Sequence, residues 1–247
     1  MPSFTQLCLL TITFSITASA LPVDAEQSIQ VAGQAASQFP VQTLLSVLAS
    51  TFQPPEDGAP QQTVSAGSRD GARCGGDSAS MRPLMPEANY GLTASGHPAL
   101  WMEMPDTHAQ AALLVFQTED GGDYARAQIS IPQANDQGFV QFQLPEIAKE
   151  LAPKENYRWT LSILCEGYLN PSDPLFSGWI KRVAPSDAIA QTLANNSVVN
   201  QVAILQRAGY WYDMVPLLLQ NQQAFSKADA LSLEPAYSSD PSDSLGL

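Results

Sequence analysis

The stretch Asn156–Cys165 constrains this chain more than any other. Tyr157, Trp159, Leu161, Ile163 and Cys165 fall at every second position, with Arg158, Thr160 and Ser162 between them. Side chains on an extended backbone alternate between two faces, so this period predicts a strand with one face in a core. Val140, Phe142 and Leu144 repeat the device, with Gln141 and Gln143 opposite. Further strands are expected at Tyr90–Ser95, Ala99–Met104, Ala111–Thr118, Tyr124–Ile131, Gly138–Leu144 and Ser177–Val183. Turn residues separate these runs about every ten positions, a spacing that signals a β-sandwich. Glu119-Asp-Gly-Gly-Asp123 suits the hairpin between two of them.

A local pattern refines the expectation. Leu151-Ala-Pro-Lys-Glu-Asn-Tyr157 resembles the tyrosine corner of fibronectin type III domains, in which a Leu and a Pro precede the Tyr that opens a late strand. Leu151, Tyr157 and Trp159 are therefore the expected fold signature, and residues 81–184 the expected immunoglobulin- or fibronectin-III-like sandwich. After Pro185 the period becomes helical. Ser186 suits the cap of a helix ending near Ala194; a second helix spans Val198–Ala208 with Gly209 just past its end; a third covers roughly Tyr212–Ala224. Pro216 must lie in the first turn of that helix or disturb it. Residues 185–233 thus read as a small tetratricopeptide-like module, too short for a solenoid, and residues 234–247 as a disordered tail. The expected fold is mainly β, a sandwich followed by helices.

The N-terminal end reads as an address. Leu7–Ala20 is apolar and ends in Ala18-Ser-Ala20, a small-residue cleavage pattern, although no Lys or Arg precedes it. Residues 1–25 are expected to be a signal peptide, cut after Ala20 or Ala25, with no transmembrane segment left after cleavage. The expected location is the periplasm or the exterior. Export removes Cys8 and leaves Cys74 and Cys165, an even number in an oxidising compartment. A disulfide is favoured over a metal site or a nucleophile. Residues 26–80 are rich in Pro and Gly and read as an arm hugging the surface, with two helical turns at Val41–Leu48 where Val41, Leu44, Leu45 and Leu48 share a face.

Function is harder to read. With 11 Lys and Arg against 24 Asp and Glu, the net charge is −13. Such a chain lacks the basic clusters that neutralise phosphates, so nucleic acid is excluded as a partner. Gly75-Gly-Asp-Ser78 echoes serine hydrolase motifs, but no His follows His108 and none precedes the Ser. A hydroxyl without a base is no nucleophile, so a hydrolase centred on Ser78 is the least favoured alternative. His97 and His108, with Glu103 and Asp106 between them, read as loop residues rather than metal ligands, and Glu119, Asp120 and Asp123 as a solvated turn rather than a calcium loop. No cofactor is expected.

The short motifs, taken in order, resemble the exported cyanobacterial family called domain of unknown function 928. They are Phe52-x-Pro-Pro55, Gly58-Ala-Pro60, Thr63 and Gly67-Ser-Arg69 leading to Cys74; then Leu84-Met-Pro-Glu87, Gly91-Leu-Thr93, His97-Pro98, Trp101 and Pro105; then Tyr157-Arg-Trp159, Leu164-Cys165, Gly178-Trp-Ile180, Arg182-Val183 and Gly209-x-Trp-Tyr-Asp213. The resemblance covers roughly residues 52–223 and implies export and architecture rather than chemistry. The expected function is that of a non-enzymatic accessory or scaffold protein that binds another protein, with a carbohydrate-binding module as the alternative. The expected working surface is the sandwich edge with the Gly209–Asp213 turn, including Trp179, Arg182, Tyr210, Trp211, Tyr212 and Asp213. For these aromatics packing of the helices onto the sandwich is favoured over ligand binding; in the glycan alternative, Trp179 and Trp211 stack on sugar rings.

Overall fold

The alternating runs become two sheets in the computed structural model, which describes residues 40–55, 60, 74, 81–226 and 229. The smaller sheet has the order β1 (Arg82–Pro83), β3 (Leu100–Glu103), β6 (Phe139–Phe142), all antiparallel. The larger has the order β2 (Tyr90–Thr93), β8 (Leu175–Arg182), β7 (Asn156–Leu164), β4 (Ala111–Thr118), β5 (Asp123–Ser130). Its pairs are antiparallel except the first, where β2 runs parallel to β8. The expected strands are all present. β1 escapes the sequence reading because two residues, one of them Pro83, carry no period.

The core follows from the alternation. Tyr157, Trp159, Leu161 and Ile163 of β7 are buried, as are Ala112, Leu114 and Phe116 of β4, which lie opposite them in register. Leu100 and Met102 of β3 and Phe139, Val140 and Phe142 of β6 join the same apolar cluster. One small position makes room for an indole on the neighbouring strand. A Cβ on Gly178 of β8 would lie 2.7 Å from the Trp159 ring and 2.3 Å from the Met85 methyl, so only glycine fits beneath that indole.

Among the described residues, four α-helices accompany the sheets: α1 (Val41–Thr51), α2 (Asp187–Ala194), α3 (Val198–Arg207) and α4 (Trp211–Gln220), the last followed by a 3-10 turn at Gln222–Ala224. The serine caps act as expected: Ser186 Oγ accepts from the Ile189 amide and Ser197 Oγ from that of Asn200. Gly209 ends α3 with φ +82°, a conformation that excludes most side chains. Pro216 lies beyond the first turn of α4, as its sixth residue, so the helix lacks the amide that would bond the Tyr212 carbonyl. Packing compensates. α4 buries Trp211, Tyr212, Met214, Val215, Leu218 and Leu219, each worth roughly 1.5–3 kcal/mol of apolar burial.

The arm expectation is corrected at α1. Val41, Leu44, Leu45 and Leu48 do share a face, but that face belongs to the main core, and Phe52 meets Trp211 edge-on at 5.1 Å between centroids. A helix of this length is stable only with its apolar stripe buried, and the nearest apolar surface is the central one. Cys74 and Cys165 are bonded, with their Cα atoms 4.6 Å apart. The Cys74 carbonyl accepts from the Thr107 hydroxyl (3.1 Å) and the His108 amide (2.9 Å). The expected signal peptide (residues 1–25), Ser78 and the expected tail (residues 234–247) lie outside the described residues.

Candidate functional site

A sheet interacts through its edges, where backbone N–H and C=O groups lack a neighbouring strand. The larger sheet ends in β2 on one side and β5 on the other, and the two ends are treated differently.

At β2 the helical turn takes the place of a strand. The Leu92 amide donates to the Gly209 carbonyl at 2.8 Å, and the Ala94 amide donates to Asp213 Oδ2 at 3.0 Å. The Thr93 hydroxyl makes a longer contact of 3.5 Å with Oδ1. Close approach requires Gly91, where a Cβ would stand 2.7 Å from the Trp211 Cβ. The aromatics then lock inward. The Trp211 indole N–H donates to the Leu84 carbonyl (2.9 Å); the Trp159 indole N–H donates to the Tyr212 hydroxyl (2.7 Å), which donates to the Trp179 carbonyl (3.0 Å). Burial raises the Tyr212 phenol above its ordinary range, and burial with the nearby Asp213 raises that of Tyr210. Burial also pushes the Asp213 carboxyl up to about 6, against the opposing bonds from Ala94 and Thr93.

This arrangement corrects the expected working surface. Tyr210, Trp211 and Tyr212 are 4%, 1% and 4% exposed, so neither a partner nor a sugar ring reaches their faces. The β2 edge of the larger sheet and the Gly209–Asp213 turn, expected to serve a partner together, bind each other. Trp179 is half-buried on β8, which is flanked on both sides by strands and is not an edge. Arg182 Nη1 donates to Glu150 Oε2 (2.9 Å) and to the Leu151 carbonyl (2.7 Å), fastening the corner loop. There Leu151 is fully buried and the Tyr157 hydroxyl accepts from the Ala152 amide at 3.1 Å, with burial, then the Tyr124 hydroxyl, pushing the Tyr157 phenol up to about 12. Trp159 is buried beside it in the core.

The β5 end is open. Ala125, Ala127 and Ile129 pack partly onto the core, while Arg126, Gln128 and Ser130 are exposed. Among the described residues, the backbone of residues 124–130 bonds to β4 and to nothing on its outer side. The strand holds one exposed ion pair, Arg126 with Asp123 at 3.6 Å. This stretch, unpaired on its outer side among the described residues and with small apolar side chains half-covered beneath, forms a template for another extended segment. The run itself was expected from its alternation; its position at an edge was not, because strand order is a long-range property.

The remaining candidates are local. His97 Nε2 lies 2.9 Å from the Ala148 carbonyl, and Glu103 pairs with Arg82 at 2.7 Å. The acidic turn is engaged by its neighbours: Thr118 donates to Asp120, Asn156 to Glu119 and Gln117 to Asp123. Among the described residues no group of three or more His, Cys, Asp or Glu is placed to hold a metal ion, and no helix is long and apolar enough to cross a membrane.

No curated protein matches the sequence. A solved structure of Astrotactin-2, described as a conserved vertebrate-specific and perforin-like membrane protein involved in neuronal development, is similar at 12% identity over 59% of this chain. The likeness spans 37% of that chain with a TM-score of 0.25, a level that says nothing about fold or function. The family described as Domain of Unknown Function (DUF928) matches residues 64–234, starting and ending later than the motif order suggests. That match runs from the approach to Cys74, through both sheets, to the end of the helices. The chain belongs to the DUF928 family.

Proposed function

We propose that this is an exported, non-enzymatic accessory protein that binds another polypeptide by adding one of its strands to β5. The open β5 edge carries the reading, because main-chain hydrogen bonds supply affinity there and alternate side chains supply selectivity. Export is supported by the apolar Leu7–Ala20 stretch and by a disulfide of the kind that persists in oxidising compartments. An immunoglobulin-like sandwich is the architecture we infer. In support, β3 to β4 and β6 to β7 step between sheets, while β4–β5 and β7–β8 are hairpins, a Greek-key pattern. Helices α3 and α4, joined through Gly209, are the tetratricopeptide-like unit of this reading.

Photo-crosslinking amino acids placed at Gln128 and Ser130 in the native host test it, with exposed Arg207 and Gln220 as control positions. A discrete adduct from the β5 positions alone is expected. No adduct at β5, or equal adducts at all four positions, overturns the reading.

A further inference from the structure

The end of β2 and the terminal helices frame a second feature, an open groove of about 370 Å³. Its apolar wall comprises Ala94, Pro185, Leu193, Leu205 and Leu217. Asp213 supplies the one carboxylate. The Gln201 amide, also in the wall, is occupied by the Leu193 and Asn196 carbonyls at 2.9 and 3.0 Å. Among the described residues no Lys or Arg lines the groove. The nearest basic residue by register is Arg182, opposite Thr93, and it is engaged with Glu150 and the Leu151 carbonyl. Among the described residues, then, no cation pairs with Asp213. Oδ2 takes the Ala94 amide, whereas Oδ1 has only the long Thr93 contact and keeps acceptor capacity.

The half-buried Asp213 carboxylate is compensated only in part, by the Ala94 amide, the long Thr93 contact and the N-terminal turn of α4, and the apolar wall around it selects what can complete the compensation. A bare metal ion would leave the leucines unused, and an apolar ligand would strand the carboxylate. A cationic head on an aliphatic stem satisfies both. The groove is open along its length, which suits a side chain presented by a backbone rather than an enclosed small molecule.

We propose that this groove receives a lysine or arginine side chain of a partner polypeptide, the stem against Leu193, Leu205 and Leu217 and the head on Asp213. The proposal shares with the β5 reading only that the partner is a polypeptide. The two sites stand at opposite ends of the larger sheet, so each succeeds or fails separately.

Calorimetric titration of the full chain at neutral pH and low salt tests it with three probes. These are the N-acetylated, C-amidated tripeptides Leu-Lys-Leu and Leu-norleucine-Leu, and hexylammonium. The lysine peptide is expected to bind at least tenfold more tightly than either other probe. Asp213→Asn, which keeps an acceptor for the Ala94 amide, should remove that tenfold preference and leave the norleucine peptide unaffected. Should that variant fail to fold, Leu193→Arg provides the second test, because a basic side chain of the protein's own should block the lysine peptide. Equal binding of the lysine and norleucine peptides, no binding of either, or unchanged binding to a folded variant overturns the proposal. Hexylammonium binding as tightly as the lysine peptide overturns the polypeptide as source.

Discussion

Three buried tyrosines show how one hydroxyl can mean opposite things. Tyr212 links the Trp159 indole to the Trp179 carbonyl, Tyr157 holds the Ala152 amide, and Tyr90 Oη is buried without a hydrogen-bond partner. A lost partner leaves a desolvated polar group unmatched, whereas removing an already unmatched group costs nothing. Tyr212→Phe is therefore expected to lower unfolding free energy by about 1–3 kcal/mol and Tyr157→Phe by about 1–2, while Tyr90→Phe is neutral or slightly stabilising. Urea midpoints of the three variants check the order. At this scale the sequence was legible wherever a residue acts on near neighbours: the tyrosine corner spans five residues, and the serine caps three. For Trp211 and Tyr212 the sequence leaves packing and a partner surface both open, because an aromatic cluster at a turn has the same local pattern whether solvent or a sheet lies beyond it; the structure shows packing.

At the scale of elements, the decisive event is the docking of α3, Gly209 and α4 onto β2. Strands and helices were both visible from their periods, but the parallel pairing of β2 with β8 joins segments about 90 residues apart and leaves no periodic trace. Helix docking places Asp213 beside the Ala94 amide, and the pH dependence follows from that. In the unfolded chain its carboxyl titrates near 4; in the folded protein burial holds it up to about 6. Between those values the folded state keeps a proton that the unfolded state releases, so stability falls as pH rises through the window and is level above it. The wall around Asp213 contributes the Tyr210 phenol and no basic group to oppose this. The upper limit of the loss is about 2–3 kcal/mol. Asp213→Asn should flatten this decline, and urea unfolding of both proteins at pH 4.5 and 7.5 measures the difference. An identical fall in the two proteins would refute the assignment.

For the molecule as a whole, the disulfide ties the segment at Cys74 to the end of β7 across a separation of 91 residues. In the chain-entropy account, closing so long a loop contributes up to about 4 kcal/mol. The variant carrying Cys74→Ser and Cys165→Ser is expected to unfold at lower denaturant with a nearly unchanged spectrum of β-structure, and mass spectrometry of the unreduced protein should find no free thiol at Cys74 or Cys165. Parity of cysteines made this bond legible before any coordinates. The placement of α1 in the core was not legible, because its apolar face had no visible partner until the sheets and α4 were arranged around it.

The unequal ends of the larger sheet also set a valence. With β2 sealed by the protein's own helices, growth by strand addition has a single point of attachment per molecule. On the proposed reading, a chain with one such edge among the described residues would cap a partner strand or pair once with its own copy. Strand addition at β5 would therefore, on that reading, join two chains edge to edge without propagating along the larger sheet.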